Sequence, residues 1–283
     1  MIQYKRCTEV EWDSIYKAFQ VGFSDYIINI SLAQEAFIAR FFGPEGNRRE
    51  HSFLALNGNE PIGLILGGIK MYEGIQTMRC GALAIHPAFR GKQISHTLFT
   101  LHKEEALRHG CKQLFLEVIV GNDRALHFYN KLGYEKVYDL SYYYLHDASR
   151  IETGYMEGMS IRKLSFAEFQ NKIHRWLSFH INWQNDVDYM EKSANNTYYG
   201  AYIEGRCVGC ICVNPEGKIS FLFVEEGVRG KGIASSLLCT AREEERLTAF
   251  SIGFPNNGLL EGFVKKQGFA RNALAQYEMY LVL

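Results

Sequence analysis

Strand-like alternation over residues 2–6 gives way to a helical apolar period over 8–20 and again over about 32–42. Two strand patterns follow, near 52–57 and 61–71, joined by the turn Asn57-Gly58-Asn59. An apolar strand over Met78–His86 meets a turn at Pro87–Gly91, and an amphipathic helix over Lys92–Gly110 ends at its glycine. Gln113–Val120 reads as a strand, Asp123–Leu132 as a helix stopped by Gly133, and Tyr142–Leu145 as aromatic strand. The polar segment His146–Gly158 reads as a linker, although it is no flexible tract rich in Gly and Ser. The order then repeats from Ser160 to Leu283, and helices interleaved with a mixed sheet make each half α/β.

The repetition extends to single residues. Thr8 with Glu11 and Ser165 with Glu168 are both capping-box patterns, with Trp12 and Phe169 next. Ile62-Gly63 matches Val208-Gly209, and Arg90-Gly91-Lys92 matches Arg229-Gly230-Lys231. Glu104-Glu105 matches Glu243-Glu244, while Asn122, Phe128 and Gly133-Tyr134 match Asn257, Phe263 and Gly268-Phe269. The offset shrinks along the chain, so the first copy carries the longer loops. Two domains are expected, 1–150 and 159–283, each long enough to bury its own core.

Composition narrows the function classes. Lys+Arg and Asp+Glu are equal at 31 each, so no charge excess points to nucleic acid or an anionic membrane. The start lacks the apolar core of a signal peptide, and no apolar run approaches a membrane span. The seven scattered cysteines suit a reducing cytoplasm. Cys207-Val208-Gly209-Cys210 falls in a strand-like stretch where positions three apart face opposite ways, so buried thiols are expected rather than a zinc site. No histidine set shows metal spacing, and no metal is expected.

Two stretches carry candidate chemistry: Arg90-Gly91-Lys92-Gln93-Ile94-Ser95 and Arg229-Gly230-Lys231-Gly232-Ile233-Ala234, each opening a helical run. Successive backbone amides at a glycine turn, leading into a helix N-terminus, suit a phosphate group. If position 93 needs φ > 0, Gln93 weakens the first loop.

Around these loops the chain resembles the GCN5-related N-acetyltransferase (GNAT) superfamily over nearly its whole length, in the tandem two-domain, mycothiol-synthase-like arrangement. The resemblance rests on Leu83–Ser95, Leu116–Asn122, Ala125, Phe128-Tyr129 and Leu132–Tyr134 in the first copy. In the second it rests on Phe223–Ala234, Asn257, Phe263 and Gly268-Phe269. It implies mixed, splayed sheets flanked by helices, and loops that hold the pyrophosphate of acetyl-CoA. The second copy fits the loop pattern throughout, so Val224 and residues 229–234 form a possible second site, whereas Gln93 and Ser95 depart from it.

By the same resemblance, Tyr129 stands where the family often places the acid that protonates the CoA thiolate. The bland alternative is a core aromatic. Glu117 matches a glutamate assigned as general base in ribosomal-protein N-terminal acetyltransferases; alternatively it faces solvent or pairs with a lysine. The second copy has Val264 and Ile252 at these places. Asn122 orders its loop or touches the pantetheine arm, and an amide near Ala84, Ile85 and His86 polarises the thioester. The acceptor site is expected under the loop Gln20–Ile28, where Asp25 meets an ammonium and Phe23 and Tyr26 either wall a pocket or anchor the loop.

The leading expectation is an acetyl-CoA-dependent N-acyltransferase, active in its first half on a primary amine of a small molecule or peptide. Its rival is a non-catalytic CoA-binding or interaction protein. A nucleotide hydrolase is disfavoured, since neither loop has the Gly-x-x-x-x-Gly-Lys-Ser/Thr spacing.

Overall fold

The computed structural model describes residues 1–154 and 157–283. The first copy runs β1 (Ile2–Arg6), α1 (Trp12–Gly22), α2 (Gln34–Phe41), β2 (Arg48–Asn57), β3 (Glu60–Tyr72), β4 (Ile75–Ile85), α3 (Ile94–Arg108), β5 (Gln113–Ile119), α4 (Asp123–Lys131) and β6 (Glu135–Leu145). The second runs β7 (Met159–Leu164), α5 (Phe166–Trp176), α6 (Val187–Lys192), β8 (Thr197–Ile203), β9 (Arg206–Val213), β10 (Lys218–Val224), α7 (Ile233–Glu245), β11 (Phe250–Pro255), α8 (Gly258–Lys266) and β12 (Ala270–Val282). Helix and strand thus alternate as the periodicity predicts. The hairpin at Glu73-Gly74, both at positive φ, extends β3 and β4 beyond the expected strands.

The spatial units cut across the sequence copies. Unit 1 is Met1–Tyr138 with Tyr277–Leu283, and unit 2 is Asp139–Gln276. In unit 1 the strand order is β1-β2-β3-β4-β5-β12; in unit 2 it is β7-β8-β9-β10-β11-β6. β6 runs antiparallel to β11 from Leu140↔Pro255 to Leu145↔Phe250. The Leu283 amide in turn donates to the Lys112 carbonyl at 2.9 Å. Each sequence copy therefore ends on a strand that completes the other copy's sheet. The boundaries 1–150 and 159–283 mark the repeat, while the compact units exchange last strands.

Both faces of each sheet are covered. In unit 1, Phe19, Phe37 and Phe41 from α1 and α2 pack on one face, and Leu98, Phe99 and Tyr129 from α3 and α4 on the other. Burying each such ring contributes about 1.5–3 kcal/mol. Only the second capping box forms, with the Glu168 amide donating to Ser165 Oγ and the Ser165 amide to Glu168 Oε2. At the first, buried Cys7 is pinned by Arg49 Nε on its carbonyl. A single 3-10 turn forms at Cys7–Glu9, and α1 starts only at Trp12.

One irregularity shapes both units. Leu66 pairs with Ala82 and Gly67 with Cys80, leaving Gly81 as an extra residue in β4. The parallel β4–β5 ladder covers only Thr77–Arg79 against Gln113–Phe115, beyond which the strands part. β10 repeats the feature at Ser220, and its ladder with β11 covers only Lys218 and Ile219. A bulge bends its strand and breaks the ladder, which opens the splay. Gly81 has a packing reason as well, since a Cβ there would sit 2.1 Å from Asn47 Oδ1.

All seven cysteines are buried free thiols. The stretch 146–158 does more than connect. Ala148 and Ile151 are buried in the unit 2 core, while residues 155 and 156 lie outside the described ones. Among the described residues no helix is long and apolar enough to cross a membrane.

Candidate active site

The two loops share one backbone shape. Gly91 and Gln93 have φ of 75° and 63°, and Gly230 and Gly232 have 77° and 82°. Gln93 therefore holds a left-handed conformation that costs a side-chain-bearing residue about 1–2 kcal/mol, and that glycine adopts freely in the other loop. Among the described residues no side chain caps α3 or α7, so neither helix start has a side-chain acceptor for its first amides, and at α3 these suit an anion.

The loop arginines brace the fold. Arg90 Nε donates to the Ile85 carbonyl at 3.1 Å, and Arg229 Nε to the Val224 carbonyl at 2.9 Å. Arg90 also grips Asp25 through two bonds of 2.5 and 2.6 Å. This pairing holds Asp25 at about 2, well below the usual carboxylate range. Asp25, expected to meet an ammonium, is paired with a guanidinium in this structure, and Arg90, expected at the CoA loop, is paired with Asp25. Lys92 lies 4.8 Å from the Phe89 ring.

Tyr129 and Glu117 reach consecutive residues of β4. The Tyr129 hydroxyl shares a hydrogen bond with the Cys80 thiol, and burial lifts the phenol well above its ordinary range, so it stays protonated. Glu117 Oε2 accepts from Arg79 Nε at 2.8 Å. Arg79 Nη1 donates to Glu45 Oε2 at 2.7 Å. Glu117 Oε1 is buried with no hydrogen-bond partner among the described residues. Burial first, then the Glu45 and Glu278 carboxylates, raise Glu117 to about 7 against the pull of Arg79. Glu117 thus neither faces solvent nor pairs with lysine. Side chains at 79 and 80 leave opposite faces of a strand, so acid and base candidates flank the bulge from either side.

The backbone at the end of β4 sorts the expected amides. The His86 amide donates to the Ile62 carbonyl at 2.8 Å, and the His86 ring caps Ala88. His86 is therefore spent on structure. Alternation of antiparallel bonds turns the amides of Ala84 and Ala82 to β3, and those of Ile85 and Leu83 to the splay. The Asn122 side chain caps α4 by accepting from the Ala125 amide at 3.2 Å, as Asn257 caps α8 from Leu260.

On the acceptor side, Phe23 packs against Phe19 and Tyr26 with centroids 4.8 and 5.0 Å apart. The Tyr26 hydroxyl shares a hydrogen bond with Asn122. A cavity of about 440 Å³ lies beneath, lined by Phe19, Phe23, Tyr26, Ile28, Ile30 and Leu32 among others. Anchoring and pocket-lining thus coexist in the same rings. The facing strand carries only Ala82 and Ala84, and α1 ends on Gly22, whose added Cβ would sit 2.6 Å from that of Ala84.

Unit 2 fills every counterpart of this site. Phe221 and Phe223 replace Ala82 and Ala84, and Trp176 stacks on Phe223 at 4.9 Å. Phe179 stacks on both phenylalanines at 6.4 and 5.9 Å. In the splay, Asn185 Nδ2 donates to the Gly253 carbonyl at 2.8 Å. At the loop, a Cβ on Gly232 would meet Gly154 Cα at 2.5 Å, and Ser236 Oγ donates to the Gly154 carbonyl at 2.6 Å. Arg242 Nη1 donates to the carbonyls of Ala148 and Ile151, and so fastens the linker along α7. The second loop keeps its conformation, but its mouth is taken. The expected second CoA site at Val224 and residues 229–234 thus has Gly154 packed against its loop.

Sequence reasoning overlooked Arg79 and Glu45. A lone arginine in the apolar run Met78–Ile85 is the signal that was there to read, because a buried guanidinium needs a partner.

Residues 10–134 match the acetyltransferase (GNAT) family, and residues 194–271 an acetyltransferase (GNAT) domain. An acetyltransferase of Pectobacterium atrosepticum is 33% identical over 82 residues, covering 29% of this chain and 55% of that protein. An N-alpha-acetyltransferase of Dictyostelium discoideum is 28% identical over 102 residues, covering 36% of this chain and 55% of that protein. The matched part spans about half the length of each of these relatives. Among solved structures, a tandem GNAT protein from the clavulanic acid biosynthesis pathway has a TM-score of 0.69 at 14% identity, covering 100% of this chain and 98% of that one. A GCN5-related N-acetyltransferase from Sphaerobacter thermophilus also has 0.69 at 14%, covering 100% and 95%. At these identities the likeness is one of fold.

Proposed function

The chain belongs to the GNAT acetyltransferase family, as two such domains in tandem, and from that premise we propose that unit 1 moves an acetyl group from acetyl-CoA to a primary amine of a small molecule or peptide by direct attack. Acetyl-CoA is a substrate of this family and supplies the activated acyl group. The observation that carries the reading is the placing of Tyr129 and Glu117 on either side of the β4 bulge, in the unit whose helix N-terminus is uncovered.

Each residue has a defined task. The open amides at the start of α3 bind pyrophosphate, and the splay-facing amides of β4 bind the thioester side. An alkyl ammonium at pH 7 lies about 3.4 units below its pKa, so freeing the amine costs about 4.6 kcal/mol. Glu117 Oε1, raised to about 7, is matched to take that proton near neutrality. The amine nitrogen then bonds to the acyl carbon as the carbon–sulfur bond breaks. Tyr129, kept neutral by burial, gives its proton to the leaving thiolate and regains one from solvent. The new amide nitrogen sheds its surplus proton to solvent, and Glu117 releases the one it took.

The test is a thiol-release screen with acetyl-CoA across amines, amino acids, peptides and aminoglycosides. Turnover with some acceptor is expected, and CoA binding with no turnover for any would favour a binding module instead. Tyr129→Phe should lower kcat about a hundredfold and leave CoA affinity within about threefold. An unchanged kcat, with chemistry shown to be rate-limiting, removes the acid role.

A further inference from the structure

We propose that His51, Glu105 and His109 form a zinc site at the C-terminal end of α3, remote from the acetyl-transfer site and independent of that reading. Glu105 and His109 stand four apart, which sets their side chains on one face of the helix end. The His109 amide donates to the Glu105 carbonyl at 3.1 Å and so continues the last turn. His51 lies on β2, 54 positions before Glu105, so no local spacing in the chain announces the trio. Glu105 follows Gln93 by twelve residues, about 18 Å of helix rise. The site therefore stands clear of the CoA loop.

Both rings converge on one atom. His51 Nδ1 lies 3.0 Å from Glu105 Oε1, and His109 Nε2 lies 3.1 Å from the same oxygen. The three donor atoms all lie within 4.8 Å of one another. A tetrahedral Zn²⁺ spaces its ligand atoms about 3.4 Å apart, so small rotations of the two rings seat the ion. A ring nitrogen that carries a proton sheds it, through solvent, in order to ligate. On the far oxygen, Glu105 Oε2 accepts from Arg6 Nη2 at 2.9 Å and from Arg108 Nη1. The arginines thus fix the carboxylate from one side and leave the other to the rings, as outer-shell partners do for a ligating acid.

Two imidazoles and a carboxylate oxygen suit Zn²⁺, whereas Mg²⁺ and Ca²⁺ need a shell of oxygens. Arg6 and Arg108 repel any cation here, so only an ion that gains strongly from nitrogen donors can hold the place. A cleft of about 710 Å³, lined also by Arg48 and Glu50, borders the trio, and a water or small anion from it can complete the tetrahedron. Unit 2 shows that fastening a helix end to the sheet needs no histidine. There Glu245, at the end of α7, accepts from Tyr199 Oη at 2.7 Å and Lys163 Nζ at 3.1 Å, and Thr197 also bonds it. Structure alone therefore does not call for two imidazoles on Glu105.

The experiment titrates the full chain with Zn²⁺ against a chromophoric chelator, and with Co²⁺ followed by its visible absorption, beside thermal unfolding. Wild type should bind one Zn²⁺ per chain and unfold at a higher temperature with it, and Mg²⁺ and Ca²⁺ should do neither. His51→Asn and His109→Gln each keep an N–H near the lost ring nitrogen, so the bond to Glu105 survives while the ligand does not. Each should weaken Zn²⁺ at least about tenfold and abolish the four-coordinate Co²⁺ band, with the metal-free Tm moved by no more than about two degrees. Should one variant fail to fold, the other and the wild-type Co²⁺ spectrum still decide. No saturable binding in wild type, binding without a four-coordinate band, or equal binding by wild type and a folded variant overturns the inference and leaves Glu105 an ion-pair hub.

Discussion

Units 1 and 2 share the β-strand bulge, the paired left-handed loop residues, the arginine brace and the asparagine helix cap. They differ in what stands at the openings of that frame. Unit 1 has Ala82, Ala84 and Gly22 under the loop that follows α1; unit 2 has Phe221, Phe223 and Trp176 stacked into the corresponding space. Unit 1 leaves the N-terminus of α3 bare, with Gln93 and His96 exposed, whereas Gly154 covers the N-terminus of α7 and buries Ser235 and Ser236. A fold can thus keep the shape of a binding loop while its own chain occupies the place. Loop shape is set by a few backbone angles that also start a helix, so it survives when binding does not.

The sharpest way to break this comparison is to place the same charge in both loops. Gly91 and Gly230 have φ of 75° and 77°, and a Cβ on either meets no atom within 4 Å. Strain therefore cancels between Gly91→Glu and Gly230→Glu, and only the effect on an anion differs. Gly91→Glu should cut turnover by about a hundredfold or more, and Gly230→Glu should stay within about twofold of wild type. Calorimetry should find one acetyl-CoA per chain in wild type and in Gly230→Glu. A second binding event in wild type, or loss of catalysis in a folded Gly230→Glu, would reverse the assignment.

A smaller effect should separate stability from catalysis. A Cβ on Gly154 would lie 2.3 Å from Gly232 Cα, which is backbone and yields poorly. Gly154→Ala should destabilise unit 2 by about 1–3 kcal/mol with kcat unchanged, read by thermal unfolding beside a steady-state assay. If the same variant instead creates a second CoA site, the linker is a removable cover rather than part of the core.

The smallest effect is expected at the acceptor loop. Arg90 depresses Asp25 to about 2, so the pairing stabilises the fold fully above the unfolded value near 4 and loses that contribution as pH falls towards 2. The carboxylate is 45% exposed, so solvent screens most of the gain. Asp25→Asn should leave Tm at pH 7 within about two degrees and raise the acceptor KM a few-fold by loosening the loop. The unfolding curves of variant and wild type should draw together below about pH 4 and meet only as pH reaches about 2. A raised CoA Kd instead would mean that Arg90 serves the pyrophosphate through this contact.

The duplication, the alternation of helix and strand, the helix-opening loops and the positions of Tyr129 and Glu117 were legible in the chain itself. Apolar periods and glycine turns depend on neighbours a few residues away, and a second copy repeats them in order. Tertiary structure alone decided the rest. It put β12 beside β5, joined Arg90 to Asp25 across 65 positions and set Gly154 against Gly232. It also turned Glu117 from a strand residue of open role into a buried acid beside Arg79. Contacts between residues far apart in the chain leave no period along it, because they are selected by shape and charge only once the strands have paired.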